Sequence, residues 1–373
     1  MTLAMTALGG LAAAATFFVC GPQRFWANWL VWMLMLLSAG LGALFLTALE
    51  HLTGARWSVP LRRSAERVSG LLVPACAAAV LALFALPVLY PWAGPEAAHH
   101  PLIAAKAGWL NVPFFAARAL ACAALWLVSW RVFAGGSLRQ DRSRDAALSE
   151  RARRYAPFFM VVMGLTTLVV AFDWVSSLSP EWYSDVIGVY LFAGSFLAGL
   201  AAVTLTVGHL KERGRLTELR FDHVYSLGAW LFAFTVFWSY IAFAQYLLMW
   251  YADLPEEVFW YAQRSRGAWR GVSLALGLLH FVIPFFALLP RDAKGDLRRL
   301  RWVAALVLGA HFLDLYWLVF PVLGARPPFS WPELGFAGFF IGVSLLWMRR
   351  ALRQGADMPV GDPGLAEGLA FKL

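Results

Sequence analysis

The chain has 373 residues, of which 61% are hydrophobic and 14% charged, and it carries a net charge of +9. Soluble domains are nearer 45–50% apolar and about 25% charged, so this composition cannot cover a water-facing surface and excludes a soluble globular fold. The basic residues sit in short segments between apolar runs, which is the pattern of membrane topology signals and not of a nucleic-acid surface.

Runs of about twenty apolar residues cross a bilayer core. They predict ten spans, near residues 4–20, 27–53, 69–91, 112–134, 156–174, 184–211, 223–249, 267–290, 300–323 and 333–350. The first lacks the positive region and small-residue cleavage site of a signal peptide and is read as a retained helix. The segments after spans two, four, six and eight are rich in arginine, as in Arg62, Arg63 and Arg67, or Arg213, Arg215 and Arg220. The alternate segments carry Pro, Trp and acids instead, as in Tyr90-Pro91-Trp92 and Pro180-Glu181-Trp182. The positive-inside rule then places both termini in the cytoplasm, in agreement with an even span count.

The fold class expected is all-α integral membrane, with the lipid bilayer as its solvent. A faint internal echo refines it. Thr47 to Leu52 ends span two much as Thr206 to Leu210 ends span six, and Phe172-Asp173-Trp174 in span five resembles Leu313-Asp314-Leu315 in span nine. A parallel repeat of this kind predicts two four-helix bundles, spans two to five over 27–174 and spans six to nine over 184–323, with spans one and ten as flanking helices.

Ionisable groups inside a bilayer are costly and mark functional candidates. His311 and Asp314 are three residues apart near the middle of span nine and share one helix face. A carboxylate and an imidazole at one depth can exchange a proton, and His280 lies deep in the neighbouring span. Glu50, His51, Asp222 and His223 are expected near the cytoplasmic face as an inner mouth of such a path, or as side chains that snorkel into the headgroups. Asp173 falls near the outer end of span five. Arg118 in span four needs a partner, and Asp173 is the first choice. In span seven Ser239, Tyr240 and Gln245 are candidates to hold water in a path, with aromatic packing the competing role for the tyrosine. The three cysteines, Cys20, Cys76 and Cys122, are scattered without metal-ligand spacing. Nucleotide, zinc-protease and nucleophile-elbow motifs are missing too.

Three stretches carry a family resemblance. They are Ala48 to Val59 (ALEHLTGARWSV), Phe172 to Phe196 (FDWVSSLSPEWYSDVIGVYLFAGSF) and Phe237 to Glu257 (FWSYIAFAQYLLMWYADLPEE). They resemble the F subunit of bacterial alternative complex III, one of the NrfD/polysulfide-reductase-like membrane anchors. The resemblance implies a ten-helix, two-bundle membrane subunit of a quinol:cytochrome c, or quinol:electron acceptor, oxidoreductase of the respiratory chain. It implies a role in proton translocation and in anchoring the redox subunits, with no catalysis by this chain alone. It implies no cofactor in this chain; haem c and iron–sulfur clusters belong to partner subunits, and quinol is the one small ligand it admits. The partners implied are a sister anchor, an iron–sulfur subunit and cytochrome c subunits. Glu50, His51 and Asp173 lie within the matching stretches, whereas His280, His311 and Asp314 rest on the residue argument alone. A quinone-binding anchor, with its site near Arg118, Asp173 and Trp174, a purely structural anchor and a secondary transporter are the alternatives.

Overall fold

A computed structural model describes residues 1–95 and 97–373. Among the described residues, ten helices are long and apolar enough to span a membrane: α1 (Thr2–Val19), α2 (Pro22–Thr53), α3 (Val59–Leu89), α4 (Val112–Ser143), α5 (Ala147–Leu178), α6 (Ile187–Glu212), α7 (Phe221–Ala252), α8 (Gly267–Leu288), α9 (Leu297–Leu323) and α10 (Trp331–Ala351). The described residues contain no strand. Helices are what a bilayer demands of such a sequence, because each satisfies its backbone groups within itself.

Local chemistry sets the helix ends. Pro22 opens α2, and Gly54, left-handed at φ 67°, closes it by donating to the Glu50 carbonyl. Asp296 caps α9 by accepting from the Arg298 and Arg299 amides. Ser330 and Glu333 form a capping box at the start of α10. Several helices begin earlier or end later than their apolar runs. The expected third span starts at residue 69, but α3 starts at Val59, and the arginines read as loop signals occupy its first turns.

The central pair is α2 and α6. Within its apolar window α2 is 89% buried and α6 83%, against 22% for α1 and for α8. Gly42 and Gly199 bring the two backbones together, since a side chain at Gly42 would strike the Ser195 carbonyl and one at Gly199 would strike the Gly42 backbone. Ser195 Oγ donates to Ser38 Oγ across the same seam at 3.1 Å. Around this axis α3 and α5 pack with α2, and α4 packs on α3 and α5, while α7 and α9 pack with α6, and α8 packs on α7 and α9. Helices α1 and α10 run antiparallel, Thr6 meeting Gly342 and Ala12 meeting Gly335. Both termini therefore lie at the arginine-rich end. There residues 352–373 fold back over the bundle, and the short helix Leu365–Ala370 rests on the start of α3.

Candidate functional site

Each helix of the second group supplies one wall of a buried polar cluster. Asp314 on α9 is 1% exposed. Its Oδ1 accepts a short hydrogen bond from the Tyr190 hydroxyl on α6, and its Oδ2 accepts from Trp238 Nε1 on α7 at 3.3 Å. His311, one turn back on α9, holds Nδ1 3.9 Å from Asp314 Oδ2. That is ion-pair range but too long for a hydrogen bond. His280 on α8 sits 6.0 Å from His311 between ring centroids and 3.9 Å from Trp238. Gly194, one turn beyond Tyr190, makes room for this: a Cβ there would lie 3.0 Å from His311 Cε1.

Two features set the cluster apart from ordinary packing. All four ring nitrogens of His280 and His311 are buried and lack a hydrogen-bond partner among the described residues; buried polar groups are normally paired, often through ordered water. His280 also lies within a π-bulge, Leu278–Val282, a local widening that re-aims side chains and recurs at functional sites.

The first group answers with a different chemistry. Asp173 on α5 lies in another π-bulge, Ala171–Val175. Arg118 on α4 donates to it twice, Nε to Oδ2 at 2.7 Å and Nη2 to Oδ1 at 3.0 Å. Trp109 Nε1 adds a third donor at 2.8 Å, and the guanidinium stands 4.1 Å from the Trp109 ring and 4.2 Å from that of Phe114. Trp174 is buried with its ring edge-on to Phe115, and its carbonyl accepts from the Tyr90 hydroxyl at 3.0 Å. Tyr90 in turn lines a cleft of about 1180 Å³ at the Trp- and Pro-rich end. Asp173 is thus clamped by a cation. Asp314 has neither Arg nor Lys within ion-pair distance among the described residues, and its one basic neighbour is an imidazole.

The remaining candidates sit elsewhere. Glu50 is 5% exposed and accepts from Arg62 Nη1 at 2.8 Å. It belongs to a buried ion network at the arginine-rich end instead of snorkelling towards headgroups. Arg62 also meets Asp362 at 2.5 Å and Glu66 at 3.5 Å; Arg63 meets Glu66 at 3.0 Å and Asp141 at 2.5 Å; Arg67 meets Asp357 at 2.8 Å. His51 stacks on Phe133 at 5.7 Å. His223 is fully buried and works as a clip: its Nδ1 accepts from the Arg220 amide and its Nε2 donates to the Gly368 carbonyl of the tail. Asp222 accepts from the Leu373 amide at 3.4 Å. Ser239 Oγ donates within its own helix to the Val236 carbonyl, and Tyr240 is 64% exposed. Neither makes a hydrogen bond to the cluster residues, and Tyr240 lies on the exposed side of α7. Gln245 is buried with its Oε1 unpartnered among the described residues.

Sequence reading alone passed over Tyr190, Gly194 and the tail aspartates. Tyr190 shows no helix-face partner in sequence, being 124 residues from Asp314. Asp357 and Asp362 lie in a polar tail that reads as solvated. No metal-binding cluster of three or more His, Cys, Asp or Glu occurs among the described residues. No known protein family matches the chain, and no curated protein matches it at significant similarity.

Proposed function

We propose that the chain is a proton-conducting, non-redox membrane subunit of a quinol-oxidising respiratory complex of the alternative complex III type, oriented with both termini in the cytoplasm. The observation that supports it most is the Asp314–Tyr190–His311–His280 cluster. A carboxyl held by two neutral donors and faced by an imidazole can keep its proton or pass it on, and a small rotation of His311 or one intervening water closes the 3.9 Å gap. A chain of such groups, each reachable from the next, is how protons cross a bilayer without a free ion entering it. The three resembling stretches point to the complex in which this role belongs, with the sister anchor, iron–sulfur and cytochrome c subunits as partners.

The test is to reconstitute the complex that contains this chain in vesicles and to compare Asp314→Asn and His311→Ala with the parent. Proton uptake and release per quinol oxidised is the readout. Proton transfer through these groups is expected to slow on the order of a hundredfold. Unchanged coupling in both variants would sink the proposal.

A quinol site beside Asp173 is the rival reading. A groove of about 370 Å³ that Trp109, Phe172, Trp182 and Tyr183 help to line favours it, since aromatic walls beside one anchored polar pair suit a quinone ring. A photoreactive quinone that labels only a partner subunit would rule it out.

A further inference from the structure

Helix α10 packs on α1 and α2, while α6 packs on α2, α7 and α9. At the arginine-rich end this divergence leaves a cavity of about 730 Å³ between α6 and α10, beside the first turn of α9. Its walls differ sharply. Leu205, Leu345 and Met348 give it an apolar side, and Leu345 is 44% exposed, so that side continues onto the lipid-facing surface of α10. Arg213, Arg215, Arg301, Arg349 and Arg353 give it a cationic side.

The charges there do not cancel. Arg215 is paired with Asp357 and Arg301 with Glu212. Arg213, Arg349 and Arg353 have no ion pair among the described residues, so five arginines face two carboxylates and three positive charges remain. Gly208 lets Arg301 lie flat on α6, where a Cβ would stand 2.9 Å from its Nε. That Nε is buried and has no acceptor among the described residues. Arg349 and Arg350 also occupy the last turn of α10, where the helix dipole favours cations.

An ordinary topology signal needs only solvated arginines near a membrane surface. Here they converge on one cavity whose other wall is apolar. We propose that this cavity is a binding site for an anionic glycerophospholipid of the leaflet at the arginine-rich end. The phosphodiester sits among Arg213, Arg349 and Arg353, and the acyl chains run along α6 and α10 past Leu345. Basic pockets between membrane helices bind such headgroups through phosphate and guanidinium geometry. The shared chemistry is a phosphate ester, which a lipid headgroup or a free phosphate would both present. The apolar wall favours the lipid, and seating it there would fill the gap between α10 and the α6–α9 pair.

The full chain, purified in detergent, can be titrated with phosphatidylglycerol or phosphatidylcholine and read by native mass spectrometry. The triple variant Arg213→Gln, Arg349→Gln, Arg353→Gln is expected to lose phosphatidylglycerol affinity on the order of a hundredfold. Leu345→Trp, which narrows the apolar side without touching charge, is expected to weaken the same lipid by about tenfold. Phosphatidylcholine should bind the parent chain no better than the triple variant does, and millimolar inorganic phosphate should not displace bound phosphatidylglycerol. Parent-like phosphatidylglycerol binding by the triple variant, or by Leu345→Trp, overturns the proposal. Displacement by inorganic phosphate overturns it too, in favour of a free-phosphate site.

Discussion

Replacing Asp173 by alanine strands a buried guanidinium. In the folded chain Arg118 is 8% exposed and Asp173 1%. The carboxylate takes two hydrogen bonds from Arg118 and one from Trp109, while Arg118 Nη1 already lacks an acceptor among the described residues. Asp173→Ala therefore leaves the whole guanidinium without an anion, held only against the Trp109 and Phe114 rings. Breaking a buried pair from one side costs about 3–5 kcal/mol. Removing both partners as Arg118→Met with Asp173→Leu replaces the pair by apolar groups of similar size, and the double variant should fall within about 1–2 kcal/mol of the parent. Arg118→Met and Asp173→Leu, each made singly, close the cycle with this double and should give a coupling energy of about 2 kcal/mol or more. Equilibrium unfolding in mixed micelles with increasing dodecyl sulfate measures all four. A cost below about 1 kcal/mol for Asp173→Ala, or strictly additive changes, would refute the view that this pair staples α4 to α5. The same variants carry functional weight, because a carboxylate clamped by a cation is poorly placed to take up a proton, whereas Asp314 has only neutral donors and an imidazole beside it.

Two further outcomes follow from the fold. Asp357 and Asp362 lie beyond α10 and tie the tail to Arg67, Arg215 and Arg62. Burial would raise both carboxyls, but hydrogen bonds from Arg215 and Arg67 hold Asp357 below the usual carboxylate range, and the charge of Arg62 with the Gly364 amide does the same for Asp362. Depressed carboxyls stabilise the docked tail above the ordinary carboxylate value and lose that contribution as the pH falls through their lowered values. A spin label on Glu367→Cys should be immobile at neutral pH and become mobile only below about pH 4; a tail that loosens at pH 6 contradicts this. At the central seam, Gly199→Val forces α6 away from Gly42 and should destabilise the chain by about 1–3 kcal/mol or more, seen as an earlier unfolding midpoint, whereas a midpoint equal to the parent's would show that the two backbones are not in close contact.

Much of this molecule was legible in its amino acids. The absence of enough charge to face water fixed a membrane protein, and the apolar runs counted ten helices, the first included. That inference is robust because a bilayer reads hydrophobic length directly, residue by residue. The single intramembrane carboxylates and histidines stood out for the same reason: in an apolar run, His280, His311 and Asp314 are exceptions that can be seen one at a time. What each of them touches was decided by the tertiary structure alone. Asp173 and Asp314 sit in similar local sequence, yet one meets an arginine from a neighbouring helix and the other a tyrosine, a tryptophan and an imidazole. The arginines at the start of α3 carry the letters of a topology signal, but 4% of Arg62 and 1% of Arg63 reach the surface, because Asp141 and the returning tail bring them counter-charges. Partners such as Arg62 and Asp362 are 300 residues apart. Hydrophobic length is a local property of a chain, whereas the pairing of charges across helices is a property of the assembled bundle.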